Sequence, residues 1–235
     1  MPKELLPIIN KPLIQYAAEE AISAGIDTLI FVTGKNKRAI EDHFDGNFEL
    51  EMALRAANKS TQADMVKNIL PKNVECIFIR QPEQRGLGDA ILCAERAVGG
   101  EPFAVLLADD FLITDKTTTT SSLVKNFFLT GKVQMSVMEV NNESITNYGV
   151  IEPAEKTGKV LSVVEKPMFK DAPSNLAAIG RYVLTPDIFD RLRKISHDVS
   201  NEIQLTDAIN LQAISGEVEF VKFLGQRFDC GSVKG

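Results

Sequence analysis

Apolar residues recur at helical spacing from Pro12 to Ala24, where Leu13, Ile14, Ala17, Ala21 and Ile22 share one face and Gly25 ends the run. Thr28 to Val32 is a compact apolar run that predicts a buried strand, and a polar helical segment follows around Ala39 to Phe44. The charged stretch Glu49 to Leu70 predicts one or two surface helices. Val74 to Arg80 reads as a second strand, leading through a glycine-bearing turn into a helix from about Asp89 to Ala97. Phe103 to Leu107 is apolar at every position, which suits a strand covered by helices on both faces, and it ends in Ala108-Asp109-Asp110. Strand and helix thus alternate through about residue 130, the rhythm of a doubly wound sheet with right-handed crossovers.

Beyond that point the rhythm changes. Gln134–Val140, Gly149–Glu152, Lys159–Glu165 and Ala177–Leu184 read as strands with short connections, an antiparallel or mixed extension of the sheet. Helices near Pro186–Lys194 and Gln204–Ile214 and a strand near Val218–Leu224 complete the pattern. Thr117–Thr120 predicts a turn feeding a helix. There is no long linker and no internal repeat. The expected fold class is α/β, a mixed, mostly parallel sheet covered by helices with a small antiparallel extension.

Composition narrows the function classes. With 44% apolar and 25% charged residues, the 235-residue chain is ordinary for a globular protein and long enough to bury a core. A net charge of −6 argues against a broad surface for nucleic acid or anionic membrane, and no apolar run spans a bilayer. No charged-then-apolar leader stands at the N-terminus, so a cytoplasmic protein is expected, with Cys76, Cys93 and Cys230 as reduced thiols. Only two histidines, His43 and His197, occur, both among polar neighbours, which disfavours a histidine triad or a His-rich zinc site.

Ligands of open α/β sheets bind beyond the carboxyl ends of the parallel strands. Gln81 and the turn Arg85-Gly86-Leu87-Gly88-Asp89 fall there, and glycines would let backbone N–H groups approach a flat base or an anion. A bare glycine turn is the competing reading, and the dinucleotide fingerprint of nicotinamide enzymes is not met. Asp109-Asp110 ends another strand and is placed to hold Mg²⁺ against phosphate oxygens, or else to cap a turn. Glu165-Lys166-Pro167 sets an acid beside a base, suited to a sugar hydroxyl and a phosphate, or to a plain surface ion pair. Asp229, in Phe228-Asp229-Cys230-Gly231, is a second metal-ligand candidate or a turn residue closed by Gly231. This inventory of carboxylates, lysines and glycines suits nucleotidyl or phosphoryl transfer, in which the substrate phosphate is itself the nucleophile.

The order of these segments carries a resemblance. Met1-Pro2-Lys3-Glu4-Leu5-Leu6-Pro7-Ile8-Ile9-Asn10-Lys11-Pro12-Leu13-Ile14-Gln15-Tyr16 resembles the early segment of bacterial UTP–glucose-1-phosphate uridylyltransferases. The likeness continues through Gln81, Gly86-Leu87-Gly88, Asp109, Tyr148-Gly149-Val150, Val164-Glu165-Lys166-Pro167, Pro173-Ser174-Asn175-Leu176-Ala177, Gly180-Arg181-Tyr182-Val183-Leu184, Glu202-Ile203-Gln204-Leu205-Thr206-Asp207-Ala208-Ile209 and Asp229-Cys230-Gly231. The Pro-Ser-Asn-Leu-Ala and Glu-Ile-Gln-Leu-Thr-Asp-Ala-Ile segments favour the uridylyl family over its thymidylyl cousin.

The resemblance implies a Rossmann-like nucleotidyltransferase fold and the formation of UDP-glucose and pyrophosphate from UTP and glucose 1-phosphate. It implies that Lys3 neutralises nucleotide phosphates and that Glu4, Gln81 and Gly86 border the uracil. Asp109 and Asp229 would hold Mg²⁺, Gly149, Glu165 and Gly180 would line the glucose, and Lys166 would bind the sugar phosphate. Assembly as a homodimer or homotetramer is expected, without nucleic-acid or membrane partners. In this family a G-x-G-T-R loop and its strand lie just upstream of Pro-Lys-Glu, and helical segments follow the aspartate–glycine motif. The expectation for residues 1–235 is therefore a single nucleotidyltransferase domain without that strand, the triphosphate-wrapping loop or the C-terminal helical end. The competing functions are a nucleotide-sugar-binding protein without catalysis and a thymidylyltransferase acting on glucose 1-phosphate.

Overall fold

The computed structural model describes residues 2–154, 157–195 and 202–231; His197 lies outside them. A 3₁₀ turn over Lys3–Leu5 leads into a small hairpin, β1 (Pro7–Ile8) and β2 (Lys11–Pro12), and then α1 (Leu13–Ser23). Pro12 starts this helix well, because its ring fixes φ near the −70° found here and its missing N–H is no loss at a helix start. The apolar face of α1 buries Ile14, Ala18 and Ala21 against β3 (Thr28–Thr33) and α2 (Arg38–Phe44), and Leu13 at its start is buried too. The charged stretch forms two helices, α3 (Phe48–Ala56) and α4 (Ser60–Lys67). β4 (Glu75–Arg80) then pairs in parallel with β3, from Thr28 opposite Glu75 to Thr33 opposite Arg80.

After α5 (Gly86–Val98) come β5 (Phe103–Leu106) and β6 (Asp110–Ile113), then α6 (Thr119–Thr130), whose start is capped by the Thr118 hydroxyl accepting from the Ser121 N–H. The remaining elements are β7 (Val133–Glu139), β8 (Gly149–Pro153), β9 (Val160–Glu165), β10 (Leu176–Leu184), α7 (Ile188–Leu192), α8 (Leu205–Ile214), β11 (Val218–Lys222) and β12 (Gln226–Asp229). Six strands form the main sheet in the order β11–β7–β10–β8–β9, with β5 joined to the second half of β10. β5, β7 and β11 share one direction and β10 runs against them. The sheet is thus mixed, as the sequence pattern indicates, but mostly antiparallel rather than mostly parallel, because β10 runs against β5, β7 and β8; among the described residues only β7 and β11 pair in parallel within it. Its strands β7 and β10, which the change of rhythm assigns to an extension, lie at its centre.

Alternation along β7 explains the layering. Val133, Met135 and Val137 enter the main core with residues of α7 and α8, while Gln134 and Ser136 point away from it and are equally buried. The Ser136 hydroxyl donates to the carbonyls of Ile179 and Arg181, where the β7–β10 register shifts. A buried polar group on that face is satisfied by the irregular strand beside it.

Two short strands depart from the sequence expectation. Asp110–Ile113 and Gln226–Asp229 form an antiparallel pair, β6–β12, where the sequence pattern assigns no strand. α5 also begins earlier than Asp89, so Gly86-Leu87-Gly88 is its first turn rather than a loop before it.

β3 and β5 border a cavity of about 870 Å³, roofed by α1, α5 and α6 and apolar along most of its length. Among the described residues β3 pairs only with β4, and β5 only with β10. Each therefore presents an unpaired edge. Lys3, Glu4, Lys37 and Asp109 line the same cavity, which gives it a charged border. Among the described residues no helix is long and apolar enough to cross a membrane.

Candidate active site

The chain turns sharply after β5, with the Asp110 N–H donating to the Leu107 carbonyl at 3.2 Å. Ala108 and Asp109 occupy the corner. β6 leaves this turn and pairs with β12, setting Asp229 opposite Asp110, and the Cys230 N–H donates to the Asp109 carbonyl at 2.8 Å. Gly231 closes the second loop by donating its N–H to Asp229 Oδ1 at 2.9 Å, an Asx turn of the kind the sequence allows.

A Cβ placed on Gly231 would lie 2.9 Å from Asp229 Oδ1, 3.1 Å from Asp109 Oδ2 and 3.6 Å from Lys3 Nζ. Two carboxylates and an ammonium thus meet at one point. Lys3 Nζ donates to Asp109 Oδ2 at 2.7 Å, and this hydrogen bond raises the lysine pKa above its usual value against the opposing pull of burial. Among the described residues no three acidic, histidine or cysteine side chains gather as a complete metal cage. A pair of carboxylates fits Mg²⁺ nonetheless, since that ion keeps waters and takes one or two carboxylates together with substrate phosphates.

A second group surrounds the first turn of α5. The Gln81 N–H extends the β3–β4 pairing by donating to the Thr33 carbonyl, and its side-chain amide donates to the Gly86 carbonyl at 3.2 Å and to Asp89 Oδ2 at 2.7 Å. Gly86 has φ +87°, and a Cβ there would stand 2.9 Å from the Ile203 carbonyl oxygen. Gly88 donates its N–H to that same carbonyl, and Ile203 donates back to Arg85. The close approach these glycines permit is therefore to the Ile203 segment of the chain itself. Glu4 is buried, its Oε1 2.6 Å from Lys37 Nζ and its Oε2 without a partner among the described residues.

The third group lies on β8, β9 and β10. Gly149 sits opposite Glu165 across β8–β9, and the Thr206 hydroxyl, from the first turn of α8, donates to Glu165 Oε2 at 2.7 Å. A methyl group on Gly149 would come within 2.8 Å of Thr206 Cγ2 and 3.0 Å of Glu165 Oε2. Lys166 follows at φ +43°, uncommon for a non-glycine residue and contrary to the extended preference before a proline. Its N–H is held by the Tyr148 carbonyl at 3.0 Å, while its exposed ammonium stands 3.9 Å from Glu165 Oε1. Nearby Tyr182 is buried, and burial, followed by the charges of Glu165 and Asp110, pushes its phenol well above the usual range. Gly180 donates its N–H to Asp110 Oδ2 at 2.8 Å, and a Cβ there would strike the Leu107 side chain at 2.5 Å. Gly180 thus lets the Asp109 turn lie flat on β10.

The sequence profile of the nucleotidyl transferase family matches residues 1–235. The chain belongs to this family. The UTP–glucose-1-phosphate uridylyltransferase 2 of Staphylococcus saprophyticus is 47% identical over 238 aligned positions, covering all of this chain and 82% of the relative. Among solved structures, apo UDP-glucose pyrophosphorylase superimposes with a TM-score of 0.93 at 43% identity, covering 100% of this chain and 87% of that one. A UDP-glucose pyrophosphorylase complexed with UDP-glucose gives 0.85 at 42% identity, with the same shares covered.

In this nucleotidyl transferase several residues that sequence reasoning passed over join the three groups. Arg227, two positions before Asp229 on β12, pairs with Asp110 Oδ1 and donates to the Tyr148 hydroxyl at 2.8 Å while lying over its ring. It links the Asp109 turn to the loop before Gly149. Period-two alternation from Asp229 is the signal that points to it, but a two-residue offset has no weight until β12 is known to be a strand. Thr206, Glu20 and Arg181 have no local signal at all.

Proposed function

We propose that the protein transfers the uridylyl group of UTP to glucose 1-phosphate, forming UDP-glucose and releasing pyrophosphate. The meeting of Lys3, Asp109 and Asp229 beside Gly231, in a chain so similar to uridylyltransferases, carries this reading. In the reaction a phosphate oxygen of glucose 1-phosphate bonds to the α-phosphorus of UTP. The bond from that phosphorus to the bridging oxygen of pyrophosphate breaks, and pyrophosphate departs with the electron pair.

Asp109 and Asp229 would hold Mg²⁺, which supplies charge neutralisation on the phosphates when bound. Lys3 exchanges its bond to Asp109 for a triphosphate oxygen, bringing a fixed cation to the charge that develops on the leaving group. Lys166 meets the sugar phosphate as a charge-assisted partner, and its ammonium is exposed enough to do so. Glu165, held from one side by Thr206, accepts from glucose hydroxyls, and the missing side chain of Gly149 lets Glu165 and Thr206 pack directly against β8. Gly180 borders the sugar from β10. Gln81, oriented by Gly86 and Asp89, faces the uracil together with Gly86 and Glu4. A cytoplasmic setting and a homo-oligomeric assembly belong to the same proposal.

Pyrophosphate release from glucose 1-phosphate, measured with UTP and with TTP, tests the assignment. Turnover with UTP at a kcat/KM at least about tenfold above TTP, a difference of about 1.4 kcal/mol, is expected. Preference for TTP would make the protein a thymidylyltransferase, and UDP-glucose binding without any turnover would make it a binding protein.

A further inference from the structure

Arg181 is 2% exposed, and all five of its N–H donors are used. Nε and one terminal nitrogen donate to Glu20 Oε2 at 3.0 and 2.9 Å. The other terminal nitrogen donates to the carbonyls of Leu107 and Gly180, both at 3.0 Å, and the first also reaches the Asp110 carbonyl at 2.9 Å. Leu107 and Asp110 are the two ends of the turn whose corner is Asp109. One guanidinium therefore grips both ends of the turn that carries the metal-ligand candidate. It also ties that turn to Gly180 on the sugar-binding strand.

Glu20 is fixed in its own right. Its Oε1 accepts from the Thr120 N–H at 3.1 Å and from the Thr120 hydroxyl at 2.7 Å, at the start of α6. Glu20 lies on α1, whose first N–H, that of Leu13, bonds the Leu6 carbonyl directly after the Lys3–Leu5 turn. A continuous set of bonds thus runs from the Lys3 turn through α1, Glu20 and Arg181 to the Asp109 turn, and the Lys3–Asp109 bond closes it.

We propose that Arg181, oriented by Glu20, is a positioning residue of the transfer reaction, setting the direction of the Asp109 carboxylate. This rests on the reading of Asp109 as a metal ligand. Neither residue reaches substrate. Arg181 acts on the Leu107 and Asp110 carbonyls at the two ends of the Asp109 turn, and Glu20 acts through Arg181, as outer partners act on a ligating side chain elsewhere. A lysine at 181 offers three donors from one point and cannot span the two carbonyls and Glu20 together. A glutamine at 20 offers one oxygen where two are used.

The test compares Arg181→Lys, Glu20→Gln and Asp109→Asn in three measurements. These are thermal unfolding, Mn²⁺ binding by electron paramagnetic resonance in the presence of UTP, and steady-state kinetics. The expected result for Arg181→Lys and Glu20→Gln is cooperative unfolding with Mn²⁺ affinity and kcat lowered by about 10- to 100-fold, while the KM for glucose 1-phosphate stays within about twofold. Folded variants with wild-type Mn²⁺ affinity and kcat would overturn the proposal. If Arg181→Lys does not fold, Glu20→Gln decides, because it leaves the guanidinium bonds to the three carbonyls in place. If neither folds, the pair is structural and the proposal fails. Undiminished Mn²⁺ binding by Asp109→Asn would instead sink the metal-ligand reading beneath it. Loss in Asp109→Asn alone would remove only the positioning role.

Discussion

Lys3 Nζ lies 2.7 Å from Asp109 Oδ2, joining the first turn of the chain to the loop after β5 across 106 residues. Both side chains remain partly exposed, so the pair contributes little to stability, about 0–1 kcal/mol. Lys3→Ala should therefore unfold within about 1 kcal/mol of wild type, yet lose about 100-fold in kcat/KM for UTP. The raised lysine pKa sets the pH behaviour of this pair. Its small stabilisation is fully present below the unfolded value near 10.5 and fades only as pH rises through the folded one. The stability difference between Lys3→Ala and wild type should thus be the same at pH 7 and pH 9. A kcat/KM for UTP unchanged in Lys3→Ala would take the lysine away from the nucleotide phosphates.

Gly149 faces Glu165 with no room for a methyl group. Gly149→Ala forces Thr206 or Glu165 to move, at a cost of about 1–3 kcal/mol for an overpacked site. Because both neighbours belong to the proposed sugar site, the KM for glucose 1-phosphate should rise by tenfold or so, about 1.4 kcal/mol, with UTP little affected. Equal changes for the two substrates would place the glucose elsewhere.

Lys166 occupies a left-handed backbone conformation that glycine adopts without strain. Lys166→Gly releases about 1–2 kcal/mol of strain and loses about 0.5–1 kcal/mol of backbone entropy, so stability should barely change or rise slightly. Lys166→Ala keeps the strain. Both variants should raise the KM for glucose 1-phosphate far more than that for UTP, since both lack the ammonium. If Lys166→Gly retains wild-type KM, the strained lysine serves the backbone path and not the sugar phosphate.

The facing edges of β3 and β5 predict a structural weakness. Unpaired ladder groups beside an apolar cavity invite association with another strand. An extended apolar segment of about six residues would match the length of β3 and pair both edges, with each buried side chain contributing about 1.5–3 kcal/mol. That is large beside the net stability of about 5–15 kcal/mol expected for a domain. An added apolar peptide of about six residues should therefore raise the melting temperature of the protein and lower its tendency to aggregate. A melting temperature unaffected by such a peptide would show that the cavity is tolerated as it stands.

The sequence pattern discloses the elements that bury a regular face. Leu13, Ile14 and Ala21 mark α1 by their spacing, and the unbroken apolar run at Phe103 marks a strand, which is half-buried because one edge borders the cavity. β6 and β12 escape because Asp110–Ile113 and Gln226–Asp229 are short, partly polar and stable only as a pair formed across more than 100 residues. Asp109, Asp229, Glu165 and Lys166 are legible as candidates because charged residues at strand ends stand out against apolar runs, whereas Lys3, in a 3₁₀ turn, is singled out only by the family resemblance. Arg181 and Glu20 are not. Each looks like an ordinary charge until the fold brings a strand, a helix and a turn together around one guanidinium. The glycines at 86 and 88 are legible as sites of close approach, but what approaches is set by tertiary structure, and it is the Ile203 backbone.

Asp109 stands between Lys3 and Asp229, in the turn that Gly180 of β10 holds through Asp110. The decisive measurement is pyrophosphate release from UTP and glucose 1-phosphate by Asp109→Asn, with UDP-glucose binding followed by calorimetry on the same preparation. A kcat lowered by about 100- to 1,000-fold is expected, some 2.7–4 kcal/mol of transition-state stabilisation, with UDP-glucose still bound. Turnover within about twofold of wild type would contradict it, because the carboxylate at the centre of the site would then have no part in the transfer.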